Sequence, residues 1–96
     1  MRTLLIVEDA PNVLKWLLSA IRREVPQIEA VGATNGSEAL EILAGDPPDL
    51  VVLDLALPEG PDQQTADASV GLGLLDRITA EEPHPPVVVL SSLDLE

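Results

Sequence analysis

Five residues that could carry out chemistry directly follow short apolar runs of the sequence. They are Glu8, Asp9, Asp54, Ser91 and Ser92. If these runs are neighbouring parallel strands, the three acids meet at one edge of the sheet. Unpaired carboxylates that lie close together repel each other and raise one another's pKa values. A hard divalent cation with oxygen ligands relieves the repulsion, so the pattern predicts a site for Mg²⁺, or for Mn²⁺ in its place.

A carboxylate held against such an ion can also act as a nucleophile toward a phosphoryl group. Asp54 suits this role, and a hydroxyl from Ser91 could donate to a phosphoryl oxygen. The alternative is that the acids are helix caps and loop residues. Asp9 could cap a helix that begins at Pro11. This alternative is weaker for Asp54, because an acid directly after four apolar residues has no obvious structural purpose.

Apolar runs alternate with amphipathic segments along the whole chain. The predicted strands are 3–7, 28–33, 50–53 and 87–90, and the predicted helices are 11–24, 37–44 and 72–80. The order βαβαβαβ predicts an α/β fold with an open parallel sheet that is covered on both faces. Consecutive apolar residues in the last strand indicate burial on both faces. Segment 58–70 is polar and rich in Pro and Gly, which predicts a loop.

Composition narrows the class of protein. The chain has 96 residues, no cysteine and a formal net charge of −12. Such a charge repels phosphate backbones and disfavours direct binding of nucleic acid. The first apolar run is too short for a signal peptide or a membrane span, so the expectation is a cytoplasmic protein with no membrane partner.

Five segments in order resemble the receiver domains of two-component response regulators. They are LLIVEDA, ATNGSEALEIL, DLVVLDLALPEG, GLGLLDRI and PVVVLSS. The resemblance covers nearly the whole chain except segment 58–70, and it implies a flavodoxin-like fold with the strand order 2-1-3-4-5. It also implies a signalling module rather than a turnover enzyme. Its partner would be a histidine kinase or a phosphotransfer protein.

The same resemblance implies a role for each site residue. Asp54 would be the phosphoacceptor, Asp9 a direct metal ligand and Glu8 a ligand that acts through water. The backbone carbonyl of Ala56 would be the third protein ligand. Ser91 would be the switch hydroxyl, with Ser92 as the neighbouring alternative.

Two features depart from the family. Receiver domains continue with a helix, a strand that carries a lysine, and a further helix. The only lysine here is Lys15, on the first predicted helix. We therefore expect a single domain over residues 1–96 that is incomplete at its C-terminus, with strand order 2-1-3-4. The fourth strand would then be an exposed edge that favours self-association. The loop at 58–70 is also longer than usual. It could be a tolerated surface insertion, or a lid or partner contact in which Asp62 or Asp67 faces the site.

These departures leave a second functional hypothesis open. The chain could be a truncated or degenerate receiver that acts as an interaction or dimerisation module without phosphotransfer. A phosphatase of the haloacid dehalogenase type is disfavoured, because it needs a second acid two residues after the nucleophile, where this chain has Ala56. The single histidine, His84, lies in a Pro-rich connector, and we expect it to be exposed there.

Overall fold

The fold alternates strands and helices, as the hydrophobic pattern predicts. A computed structural model describes residues 2–54, 68–80 and 82–90. The elements are β1 (Arg2–Val7), α1 (Pro11–Glu24), β2 (Ile28–Ala33), α2 (Gly36–Ala44), β3 (Leu50–Asp54), α3 (Ala68–Thr79) and β4 (Val87–Leu90). The strands form one parallel sheet in the order β2-β1-β3-β4. The predicted flavodoxin-like architecture and its strand order are confirmed.

Each face of the sheet has its own apolar core, because successive side chains of a strand point to opposite faces. Leu4 and Ile6 of β1 pack with Leu14 of α1 on one face. Leu5 and Val7 belong to the larger cluster on the other face, which α2 and α3 cover. The central strand is therefore buried on both sides, and this explains its unbroken run of apolar residues.

Helix α1 lies close against β2. A Cβ atom added to Gly32 would lie 2.8 Å from a methyl carbon of Leu14, so glycine makes room for this approach. Arg22 donates a hydrogen bond of 2.9 Å to the carbonyl of Ala30. The predicted cap of this helix was wrong: Ala10 occupies the N-cap position and no side chain caps the helix. Pro at the first turn compensates in part, because it has no N–H group that needs a partner.

Helix α2 begins with a reciprocal set of hydrogen bonds. The side chain of Asn35 accepts from the backbone N–H of Glu38 at 2.9 Å. The Glu38 carboxylate in turn accepts from the backbone N–H of Thr34 at 2.8 Å. Asn35 is 1% exposed, so this cap lies inside the fold and fixes where α2 leaves β2.

The predicted boundary between the loop and helix α3 is corrected. Helix α3 begins at Ala68 rather than at Leu72, so residues 68–70 of the predicted loop are helical. Val70 packs against the larger core cluster, and this contact favours helix over loop. The rest of the predicted loop lies outside the described residues, together with Asp62 and Asp67.

Strand β4 is not buried on both faces. Val88, Val89 and Leu90 are 40–49% exposed, because β4 pairs only with β3 in the part of the chain that the structure describes. The exposed edge that we predicted from the sequence is thus present among these residues. His84, in the connector before β4, is half-buried rather than exposed.

Among the helices described here, none is long and apolar enough to cross a membrane.

Candidate metal centre

The carboxyl ends of β1 and β3 lie side by side, because these strands are adjacent and parallel. Their register pairs Val7 with Leu53. The next residue on each side is an acid, Glu8 after β1 and Asp54 as the last residue of β3. The prediction that these strand ends bring the acids together is therefore correct in its geometry.

Three carboxylates converge where these strand ends meet the start of α1. One carboxylate oxygen from each of Glu8, Asp9 and Asp54 lies within 4.8 Å of the other two. Asp54 is 4% exposed, whereas Glu8 and Asp9 are half-buried. Two unit charges at this distance repel each other by roughly 3 kcal/mol at an effective dielectric constant of about 20. The cluster is thus a concentrated negative charge.

Glu8 shows the combined effect of burial and of the neighbouring acids. Its pKa is raised from 4.5 to about 7. Burial is the largest cause, and the hydrogen bond to Asp9 and the charges of Asp54 and Asp9 raise the pKa further. The backbone N–H of Ala10 donates to the Glu8 carboxylate at 3.1 Å and lowers the pKa in part. Near neutral pH, the proton on Glu8 therefore relieves part of the repulsion.

The donor set fits a hard divalent cation. All three side chains offer carboxylate oxygens, which Mg²⁺ and Mn²⁺ prefer over the nitrogen and sulfur ligands of softer metals. A cation among them would counter the charges of Asp54 and Asp9, which add to the effect of burial in raising the pKa of Glu8. The residues present are therefore suited to hold such an ion, with the more exposed Glu8 and Asp9 flanking the buried Asp54.

The remaining predicted site residues lie outside the described residues: Ala56, Ser91 and Ser92. The sequence analysis missed one residue of the site. The backbone N–H of Ala10 donates a hydrogen bond to the Glu8 carboxylate. Only the short spacing between the acids and Pro11 hinted at it, since that spacing brings the first backbone N–H groups of α1 close to the site.

Comparison with known proteins assigns the family. The chain belongs to the response regulator receiver domain family, whose model matches residues 4–95. This agrees with the fold and with the resemblance found in the sequence.

Individual relatives support the same assignment. The chain is 38% identical over 89 residues to a protein-glutamate methylesterase/protein-glutamine glutaminase of Geobacillus kaustophilus, covering 92% of this chain and 23% of that protein. It is 33% identical over 92 residues to the probable transcriptional regulatory protein TcrX of Mycobacterium tuberculosis, and the match covers 96% of this chain and 35% of that protein. The chain therefore spans about a quarter to a third of the length of these curated relatives.

A solved structure is similar over most of the chain. The response regulator TrrA of Thermotoga maritima, in complex with Mg²⁺–BeF, matches with a TM-score of 0.76 and 26% identity. The match covers 98% of this chain and 72% of that one.

Proposed function

We propose that Asp54 accepts a phosphoryl group from the phosphohistidine of a histidine kinase or phosphotransfer protein. The observation that carries this proposal is the convergence of Glu8, Asp9 and Asp54 at one sheet edge in a chain of the receiver family. The complex of TrrA with Mg²⁺–BeF supports the choice of Mg²⁺ as the ion.

We assign the role of nucleophile to Asp54 because it ends β3 in the segment that resembles the phosphoacceptor segment of receiver domains. Its carboxylate oxygen bonds to phosphorus while the phosphorus–nitrogen bond breaks, and the electron pair of that bond returns to the histidine ring. Asp9, Asp54 and the backbone carbonyl of Ala56 would hold the metal ion directly, and Glu8 would hold it through water. The ion, when bound, cancels repulsion between the carboxylate and the incoming phosphoryl oxygens. Ser91 donates a hydrogen bond to one of these oxygens.

In this role the chain is a cytoplasmic signalling module rather than a turnover enzyme. The esterase name of the Geobacillus relative does not transfer to this chain, because the match covers only 23% of that protein. The regulatory name of TcrX is likewise that of a protein almost three times as long as the matched segment.

The test is incubation with acetyl phosphate or beryllofluoride, with and without Mg²⁺, followed by intact mass spectrometry and ¹⁹F NMR. We expect an adduct that needs Mg²⁺ and disappears in Asp54→Asn. Asp76→Asn is the matched control, because Asp76 is exposed on α3 and the substitution changes the net charge equally. An adduct that survives Asp54→Asn would refute the assignment of Asp54.

A second candidate function rests on the exposed edge of β4. Its side chains Val88, Val89 and Leu90 are 40–49% exposed, and an apolar strand edge tends to pair with another strand. In this alternative the chain associates with a second copy and does not transfer phosphate. Light scattering after size-exclusion chromatography tests it. A monomer at high protein concentration, together with the Mg²⁺-dependent adduct, would favour the phosphoacceptor.

A further inference from the structure

A groove runs between α2 and α3 on the face of the sheet that these helices cover. It has two cavities. One of about 390 Å³ lies at the C-terminal ends of the helices, against the connector before β4. The other, of about 380 Å³, lies nearer their N-terminal ends. Leu40 and Arg77 line both cavities. The first cavity, which we call the connector cavity, lies at the opposite end of the sheet from the carboxylate cluster.

The wall of the connector cavity is mostly apolar. It includes Leu40, Leu43, Ala44, Ile78 and Pro83. The ionisable side chains in its lining are Arg77 and His84. Among the described residues that line this cavity there is no acid, although the chain has 17 acids and only five lysines and arginines. The charge of these described lining residues is thus opposite to that of the chain as a whole.

Arg77 has no ion pair or hydrogen bond with any described residue. The two arginines of α1 have partners: Arg22 donates to a backbone carbonyl, and Arg23 lies 3.3 Å from the carboxylate of Glu24. The guanidinium of Arg77 therefore offers its planar set of N–H donors at the wall of an apolar cavity. Such a group binds a carboxylate with two parallel hydrogen bonds.

Both ring nitrogens of His84, which lines the cavity, already have polar partners. Its Nε2 lies 3.1 Å from the carboxylate of Glu82, and its Nδ1 lies 2.9 Å from the carbonyl oxygen of Pro85. The Glu82 carboxylate is 80% exposed and is not among the lining residues. Arg77 is thus the group in this wall that is available to anchor an anion.

We infer that the connector cavity binds a small apolar monocarboxylic acid, such as a short fatty acid or an arylalkyl acid. The carboxylate pairs with Arg77, and the hydrocarbon part lies against the Leu, Ile and Pro wall. The volume falls within the range of small-molecule sites, which are mainly apolar with a few placed polar groups. An amine would be repelled by the charge of Arg77, and a neutral hydrocarbon would gain nothing from that charge.

The inference is independent of phosphotransfer at Asp54, and its test uses a matched pair of probes. 4-Phenylbutyrate and its uncharged amide are titrated into the ¹⁵N-labelled protein in the presence of EDTA, which removes metal ions from the carboxylate cluster. We expect saturable shifts of the amide signals of Leu43, Ala44 and Arg77 with the acid. The expected Kd is on the order of 1 mM for a ligand of this size. The amide should bind at least tenfold more weakly.

Substitutions then separate charge from shape. Arg77→Gln should weaken binding of 4-phenylbutyrate at least tenfold. Arg23→Gln, which removes an equal charge far from the groove, should leave binding unchanged. Ala44 is exposed at the end of α2, so both Ala44→Glu and Ala44→Gln should fold. Only Ala44→Glu places a negative charge in the wall, and it alone should abolish binding.

Three results would overturn the inference. One is the absence of saturable shifts at the cavity up to about ten times the expected Kd. Another is equal binding of acid and amide. The third is retention of full affinity in Arg77→Gln or Ala44→Glu while the amide spectrum shows that the variant is folded.

Discussion

Replacing Asp54 by Asn should stabilise the fold at pH 8 in the absence of divalent cations. The substitution removes one of three carboxylates whose oxygens lie within 4.8 Å of each other. Each pair at this distance repels by roughly 3 kcal/mol at an effective dielectric constant of about 20. Salt and relaxation of the half-buried Glu8 and Asp9 reduce the benefit of removing this repulsion. We therefore expect the free energy of unfolding to rise by about 1–2 kcal/mol. For a chain of this size that corresponds to a rise in Tm of roughly 4–16 °C.

Protonation and metal binding should modulate this gain in a defined way. At pH 5 Glu8, with its pKa of about 7, carries a proton, so one repelling charge is already absent. The increase in the free energy of unfolding caused by Asp54→Asn should then fall to about half. Saturating Mg²⁺ should raise the stability of the unsubstituted protein, by about 2.7 kcal/mol when the free ion is at 100 times its Kd. It should have little effect on Asp54→Asn, which has lost a ligand.

The assay is urea or thermal unfolding followed by circular dichroism at pH 8 and pH 5, with and without Mg²⁺. Asp76→Asn is the control for net charge, and its stability should change by less than about 0.5 kcal/mol. The reasoning is refuted if Asp54→Asn lowers the unfolding midpoint at pH 8 without Mg²⁺. It is also refuted if the two substitutions raise that midpoint equally.

Four further outcomes follow from named contacts. Since Glu8 must lose its proton to bind a cation, the Kd for Mg²⁺ should rise about tenfold between pH 8 and pH 6, and calorimetry should show this dependence vanish in Glu8→Gln. The folded state binds this proton more tightly than the unfolded chain, so the free energy of unfolding should fall as the pH rises from about 4.5 through 7. The shift corresponds to roughly 3 kcal/mol, reduced to about 1–2 by solvent screening, and a urea midpoint that rises with pH across this window would contradict it. Asn35→Ala should cost about 1–3 kcal/mol in urea unfolding, because it removes a buried helix cap, whereas Asn35→Asp should retain more of the stability. Gly32→Val should cost about 1–3 kcal/mol through contact with Leu14, and a double-mutant cycle in which Leu14→Ala fails to recover any of that cost would show that the contact is not the cause.

Much of the fold could be predicted from the sequence, because strand and helix periodicity are local properties. The bounds of α1, β2 and β4 were predicted as the structure has them. The start of α3 was not, because Ala68 to Val70 carry no strong cap signal and their helical state depends on packing against the core. The apolar run of β4 alone wrongly indicated burial on both faces, since such a run does not say how many neighbours a strand has. The exposure of Val88 and Val89 followed only from the order of the strands.

The candidate site was likewise predicted in part from the sequence. Glu8, Asp9 and Asp54 could be found because the carboxyl ends of parallel strands share an edge, a rule that needs only the order of elements. The proton on Glu8 could not be predicted, because it depends on how deeply the strand end and α1 bury that carboxylate. The connector cavity was also beyond sequence reasoning, since it is a gap between two helices and not a property of either.

The central position of β1 has a consequence for the order in which the protein can form during synthesis. Residue Arg2 pairs with Ile28, but Leu4 pairs with Leu50 on the other side. At a translation rate of about 5–20 residues per second, the second partner is made roughly 2–9 s after β1 itself. During that interval the nascent chain can form β1, α1 and β2, while one edge of β1, whose residues 4–7 are apolar and buried in the fold, has no neighbour. The interval in which this protein is most prone to aggregate therefore comes before β3 leaves the ribosome, and it centres on Leu4 to Val7.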